Sequence, residues 1–137
     1  MEHEWQACMQ ALLSNPKVSG CAVMSTTGDV VFGAGALSNA ADLPDTELVL
    51  NFFQHQESEM GSEISEHRKM DAFQVLGLQL VPFYQSKTSV FATSKYKRHT
   101  LVINKLPFGY LLSLSQKPHL PSAAITDIEK IAETFRN

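Results

Sequence analysis

From Phe73 to Ser115 the chain passes through strand-like segments with little between them but turns, and few architectures accept such a stretch. The segments span residues 73–76, 78–85, 89–93 and 100–103, the last continued by 109–115 beyond a turn at 104–108. They are rich in Val, Ile, Leu, Phe and Tyr, the composition of a pleated, half-buried surface. Upstream, Val18–Met24 reads as a buried strand, Thr26–Asp29 as a turn and Val30–Ala34 as the returning strand of a hairpin.

Three helical patterns surround these strands. Trp5, Cys8, Met9, Leu12 and Leu13 fall at spacings of three and four, one helix face ending before Pro16. Pro44 precedes a short amphipathic run from Glu47 to Phe53, with Asp45 or Thr46 as its N-cap. Ile125, Ile128, Ile131 and Phe135 form the apolar stripe of a last helix that Ser122 would cap. Gly33-Ala34-Gly35 lacks the third glycine and following helix of a phosphate loop and reads as turn backbone. The order implies an α+β domain: an antiparallel sheet of about six strands, flanked by N- and C-terminal helices and a short middle helix. All 137 residues fit one domain, with a polar surface excursion over 54–71.

Composition narrows the function classes. A content of 44% hydrophobic and 18% charged residues is that of a globular protein. A formal net charge of -3 argues against general nucleic-acid binding, which needs a basic field. No run of 18 apolar residues occurs, so no membrane-spanning helix is expected, and the acidic start carries no apolar signal segment. Cys8 and Cys21 lack a C-x-x-C spacing and read as two reduced thiols of a cytosolic protein.

Catalytic patterns are missing. His3, His55, His67, His99 and His119 are scattered, with no H-E-x-x-H or H-x-H spacing, so neither metal nor cofactor is expected. No G-x-S-x-G elbow strains a serine, and Glu57, Glu59, Glu63 and Glu66 sit in the polar excursion. The reading is a binding module and not an enzyme. Lys95-Tyr96-Lys97-Arg98-His99 is the sharpest electrostatic feature. It reads either as a charged hairpin tip that protects an edge, or as a contact for an acidic protein or an anionic lipid headgroup.

Taken in order, several segments resemble profilins. Trp5-Gln6-Ala7 with Leu13 is similar to their first helix, Ala22–Val31 to their first hairpin, and Leu48–Phe53 to their second helix. Val75-Leu76-Gly77-Leu78 resembles their glycine-bent strand, and Pro121–Ala124 with Ile128–Ala132 their last helix. The resemblance implies a monomeric cytoplasmic protein of the cytoskeleton that binds monomeric actin and regulates its polymerisation. It places Gln79, Val81, Phe83, Lys95, Lys97, Ser122, Thr126, Glu129 and Lys130 at the actin contact. Val81 and Phe83 stand where the family often has polar groups, which implies reduced affinity. The resemblance also implies a proline-rich peptide site with Trp5 and Phe135. Cys8, Val31 (or Phe32) and Thr134 stand at or near its other aromatic positions, so that groove is eroded. An anionic phospholipid contact would use Lys95, Lys97 and Arg98.

Asn15-Pro16-Lys17-Val18-Ser19-Gly20 and Asn104-Lys105-Leu106-Pro107 also resemble roadblock domains, the dimeric scaffolds of dynein light chains and of lysosomal complexes that hold small GTPases. Those domains have three strands after the middle helix, where this sequence shows four. A third possibility is a profilin-type fold serving another complex without an actin role.

Overall fold

The computed structural model describes residues 4–38, 47, 49, 50, 53, 62–63, 73–75 and 77–136. The N-terminal helix spans Glu4–Leu13 and leads into β1 (Gly20–Met24) and β2 (Val30–Gly35). After β3 (Ser62–Glu63) and β4 (Phe73–Val75) come β5 (Leu78–Gln85), β6 (Ser89–Ser94), β7 (His99–Leu106) and β8 (Gly109–Gln116). The C-terminal helix spans Pro121–Thr134. Glu47, Val49, Leu50 and Phe53 are helical, as expected for the middle helix. The expected cap at Asp45 or Thr46, and the excursion 54–71 apart from Ser62 and Glu63, lie outside the described residues.

The strands form one antiparallel sheet in the order β2-β1-β8-β7-β6-β5-β3, with β4 also paired to β5. Since β3 meets Tyr84–Gln85 and β4 meets Leu78–Leu80, eight strands among the described residues occupy seven columns, above the six expected from sequence. Gly77, at φ 71°, makes the tight return between β4 and β5 that a side chain would strain. The turn between β7 and β8 is also shorter than expected. Pairing continues through Lys105↔Tyr110 and Leu106↔Gly109, so only Pro107 and Phe108 turn. Gly33 and Ala34 lie within β2 and not in a turn. A Cβ on Gly33 would collide with the Leu37 carbonyl, because residues 36–38 cross over the strand there.

Every residue of β1 is buried, which requires cover on both faces of the sheet. Ala22 and Met24 join Leu101, Ile103, Leu112, Leu114, Val49 and Phe53 in one core. Cys21 and Val23 face the other core, with Cys8, Met9, Leu12, Val102, Leu111, Ile128 and Ala132. The two terminal helices therefore share one face and the middle helical residues pack on the other. Leu13, expected in the buried stripe, is instead exposed. Pro121, whose fixed φ suits the first helical position, starts the C-terminal helix, with Leu120 at the cap. Ser122, expected to cap it, lies inside the first turn.

Burial pushes the Cys8 thiol up to about 12 and the Cys21 thiol likewise, the latter aided by its neighbour Cys8. Neither thiol should label with a disulfide reagent at pH 8 until the protein unfolds; rapid labelling of the native protein would contradict this packing.

The segment Asn15–Lys17 clips the first helix–strand connection to the last helix. Lys17 Nζ and Asn15 Nδ2 donate to Asp127 Oδ2 at 2.9 and 3.1 Å. Those two hydrogen bonds, with Lys17 leading, hold the Asp127 carboxyl below the usual carboxylate range despite its partial burial. A lowered folded-state pKa gives stability that is full above the unfolded value, about 3.9, and is lost as pH falls through the folded one. Asp127→Asn should therefore unfold at lower urea than the parent at pH 7. The two curves should converge as the carboxyl protonates; a gap independent of pH would count against this pair.

Candidate functional site

The terminal helices pack on β1, β7 and β8 and on each other. That leaves the same face of β5 and β6 largely without cover. Val81 is 41% exposed and Phe83 39%, high values for apolar side chains in a sheet. The pairing of β5 with β6 is irregular between Pro82 and Tyr84, where Phe83 is the extra residue. A bulge of this kind turns a side chain out of the regular alternation. Its result is that Phe83 and Tyr84 both reach Phe91, at ring separations of 6.1 and 4.7 Å, the Tyr84 pair stacked.

Two neighbouring concavities share Thr93. One, of about 510 Å³, is lined by Phe83, Thr93, Lys97, Leu120, Pro121, Ser122 and Ile125. The other, of about 790 Å³, includes Leu78, Gln79, Val81, Lys95, Tyr96 and Arg98. Six of the nine residues expected at the actin contact thus line adjoining hollows: Gln79, Val81 and Lys95 one, Phe83, Lys97 and Ser122 the other. Leu120, 68% exposed, and Tyr96, 70% exposed, project beside them and were not among the nine residues expected at the actin contact.

The other three expected residues behave differently. Thr126 and Lys130 are exposed on the C-terminal helix, and the Thr126 hydroxyl donates to the Ser122 carbonyl. Glu129 turns inward. It accepts from Ser89 Oγ at 3.1 and 3.2 Å and from Asn104 Nδ2, while Asn104 Nδ2 also donates to Ser89 Oγ at 3.1 Å. Arg136 donates to the same hydroxyl at 3.2 Å. Ser89 and Asn104 are buried, so the cluster joins β6 and β7 to the last helix through polar contacts inside the fold.

At the far edge of the sheet, Trp5 and Phe32 lie 5.8 Å apart with planes tilted by 34°. Val23↔Phe32 pairing puts Phe32 on the helix face, so Phe32 and not Val31 is the aromatic neighbour of Trp5. Phe135, half-buried, packs against the same core as Trp5, whereas Cys8 is fully buried within it. Among the described residues no three His, Cys, Asp or Glu side chains gather as metal ligands. No helix there is long and apolar enough to cross a membrane.

The whole arrangement, a curled antiparallel sheet with both terminal helices on one face, is that of the profilin-like α+β fold. Solved structures bear this out. The chain is similar to LokiProfilin2 in its complex with rabbit actin, at a TM-score of 0.73 and 11% identity, over 98% of this chain and 96% of that one. Profilin II of Acanthamoeba castellanii matches at a TM-score of 0.71 and 16% identity, over 96% of this chain and 95% of that one. The profilin of Schizosaccharomyces pombe matches at 0.65 and 18%, over the same shares. No protein-family model and no curated sequence matches the chain. These neighbours give the roadblock expectation no support.

The inward Glu129 cluster is open to a direct check. Asn104→Leu removes the donor that Glu129 and Ser89 share, and should cost about 1–3 kcal/mol in urea unfolding. Lys130→Ala, on the exposed side of the same helix, should change stability by less than about 0.5 kcal/mol. Equal effects would show that the cluster is not what seats the helix.

Proposed function

We propose that this chain is a monomeric, cytosolic, profilin-type protein that binds monomeric actin and slows its polymerisation. The observation that carries the reading is the open half of the helix face, where Val81, Phe83, Leu120 and Ile125 form an apolar floor beside Lys95 and Lys97. An apolar centre bordered by charge is the make-up of a protein-binding surface, and the cations suit an acidic partner. Two kinds of support meet here: six of the nine positions chosen by resemblance line these hollows, and a structure of similar fold was solved with actin bound. Binding, and not catalysis, is the role this geometry serves. Glu129 contributes by holding the helix that carries Ser122 and Ile125, so it is a positioning residue.

The edge at Trp5 and Phe32 supports a lesser role in proline-rich peptide binding. A paired indole and phenyl ring offer an aromatic face to a proline, with Phe135 only half-exposed nearby. Affinity there should be low, because two rings make a short platform. Lys95, Lys97 and Arg98 would also serve an anionic phospholipid, a contact that would compete with actin for the same cations.

The deciding experiment is pyrene-actin polymerisation across a dose series of this protein, with its oligomeric state read by light scattering in the same buffer. The expected result is concentration-dependent slowing by a monomer. Lys97→Glu should weaken that effect by about tenfold, the loss typical of reversing a well-placed interface charge. No slowing at high micromolar concentration would remove the actin role and leave a profilin-type fold serving another complex. A stable dimer would return attention to the roadblock type of scaffold.

A further inference from the structure

The hairpin tip between β6 and β7 breaks a local rule. Tyr96, at φ 62° and ψ 16°, and Lys97, at φ 56°, are consecutive residues in the left-handed region. Tight hairpin turns of this hand favour Asn-Gly, because a Cβ crowds the following carbonyl. Here a ring and a long cation occupy both positions. Strain of this kind persists where surrounding structure enforces it, and it concentrates at contact sites. His99 N donates to Ser94 Oγ at 2.9 Å and closes the loop, while Lys95 Nζ lies 5.3 Å from the centre of the Tyr96 ring.

The left-handed turn divides neighbouring residues between the two hollows. Lys95, Tyr96 and Arg98 line one, and Lys97 between them lines the other. The charge along this part of the chain is one-sided. Residues 72–126 contain no Asp or Glu, and they carry Lys87, Lys95, Lys97, Arg98, Lys105 and Lys117. All 14 acidic residues of the chain lie outside that stretch, so a protein of net charge -3 has one strongly basic segment.

We propose that the tip Ser94–His99 is kept in a strained conformation to recognise a carboxylate-rich protein surface, with Tyr96 as its apolar contact. The two hollows receive apolar side chains of the partner. Lys95, Lys97 and Arg98 meet carboxylates from both sides, and the exposed Tyr96 ring, at the rim of the larger hollow, meets an apolar group of the partner. This deepens the docking reading above, since the occupant is the same acidic partner. It adds a residue outside the positions that reading used and a reason for the tip's conformation. Its consequence is that stability and affinity oppose each other at this tip.

The test uses the full chain and two variants, Tyr96→Gly and Lys97→Gly, each removing one left-handed Cβ. Thermal unfolding is compared with affinity for monomeric actin. Both variants are expected to melt a few degrees above the parent and to bind actin about tenfold more weakly. Binding as tight as the parent's would overturn the proposal while leaving actin docking in place. Lower melting temperatures in both variants would overturn the strain argument and the proposal with it. If the parent itself fails to bind actin, a synthetic glutamate-rich peptide carrying one phenylalanine decides the matter by amide shifts in the parent's NMR spectrum. Shifts centred on Tyr96 and Lys97 and absent from Lys97→Gly support the tip's role, and their absence in the parent overturns it.

Discussion

Three adjacent strands with apolar side chains on both faces set the terms for the whole molecule. In β1, β8 and β7, side chains alternate between two cores and leave neither face fit for water. Each face needs its own layer, and burial of this kind is the main favourable contribution to folding. The terminal helices supply one layer by lying side by side, and the width of that pair fixes how far cover extends. It reaches β7 and stops short of β5. The open half of the helix face is thus a consequence of sheet width exceeding helix cover, and the two hollows on it exist because of that.

The inner margin of that surface is held by polar groups. Ser89, Asn104, Glu129 and Arg136 meet where the C-terminal helix crosses β6 and β7. A partly buried polar cluster specifies one arrangement more sharply than apolar packing, since a shifted helix would leave the buried Ser89 and Asn104 with fewer partners. The Lys17–Asp127 pair, more exposed, adds a second tether from the opposite side of the same helix. Between these two tethers, Ile128 sits fully buried against the sheet. The helix start, with Leu120, Pro121 and Ser122, is thereby set in a fixed position against the hollow that Phe83, Thr93 and Lys97 also line.

The order of elements was legible in the sequence because it rests on local signals. Spacings of three and four marked both terminal helices, and Gly28 and Gly77 marked returns whose backbone requires glycine. What escaped depends on residues distant in the chain. The resemblance set Glu129 at the actin contact, but its hydrogen-bond partners Ser89 and Asn104 lie 40 and 25 positions away. Strict alternation along a strand would set Val81 and Phe83 on one face and Tyr84 on the other; the bulge beyond Pro82 brings Tyr84 to the same side. The choice between Val31 and Phe32 turned on an irregularity at Val23 and Met24 that shifts the pairing, which no local pattern reveals. Ser122 had the chemistry of a cap, yet Pro121 needed the first helical position more.

Several departures from local rules share one location, apart from the irregularity at Val23 and Met24 and the exposed Val31 and Phe32 at the opposite edge. The bulge at Phe83, the exposed apolar Val81 and Leu120, and the left-handed Tyr96 and Lys97 all border the same two hollows. Within the central strands, by contrast, the pairing of β7 with β8 and of β6 with β7 is regular throughout. A chain selected only for stability would remove such features one at a time, since each is separable: a polar residue at position 81, a glycine at position 97, an unbroken strand at position 83. Their coexistence on one face, beside a segment from which every acid is missing, argues that the face is shaped by something it binds. Distant matches of 11–18% identity to profilins fix the fold around this face. The specificity of the face itself must come from the residues that break the rules, because the fold alone does not require them.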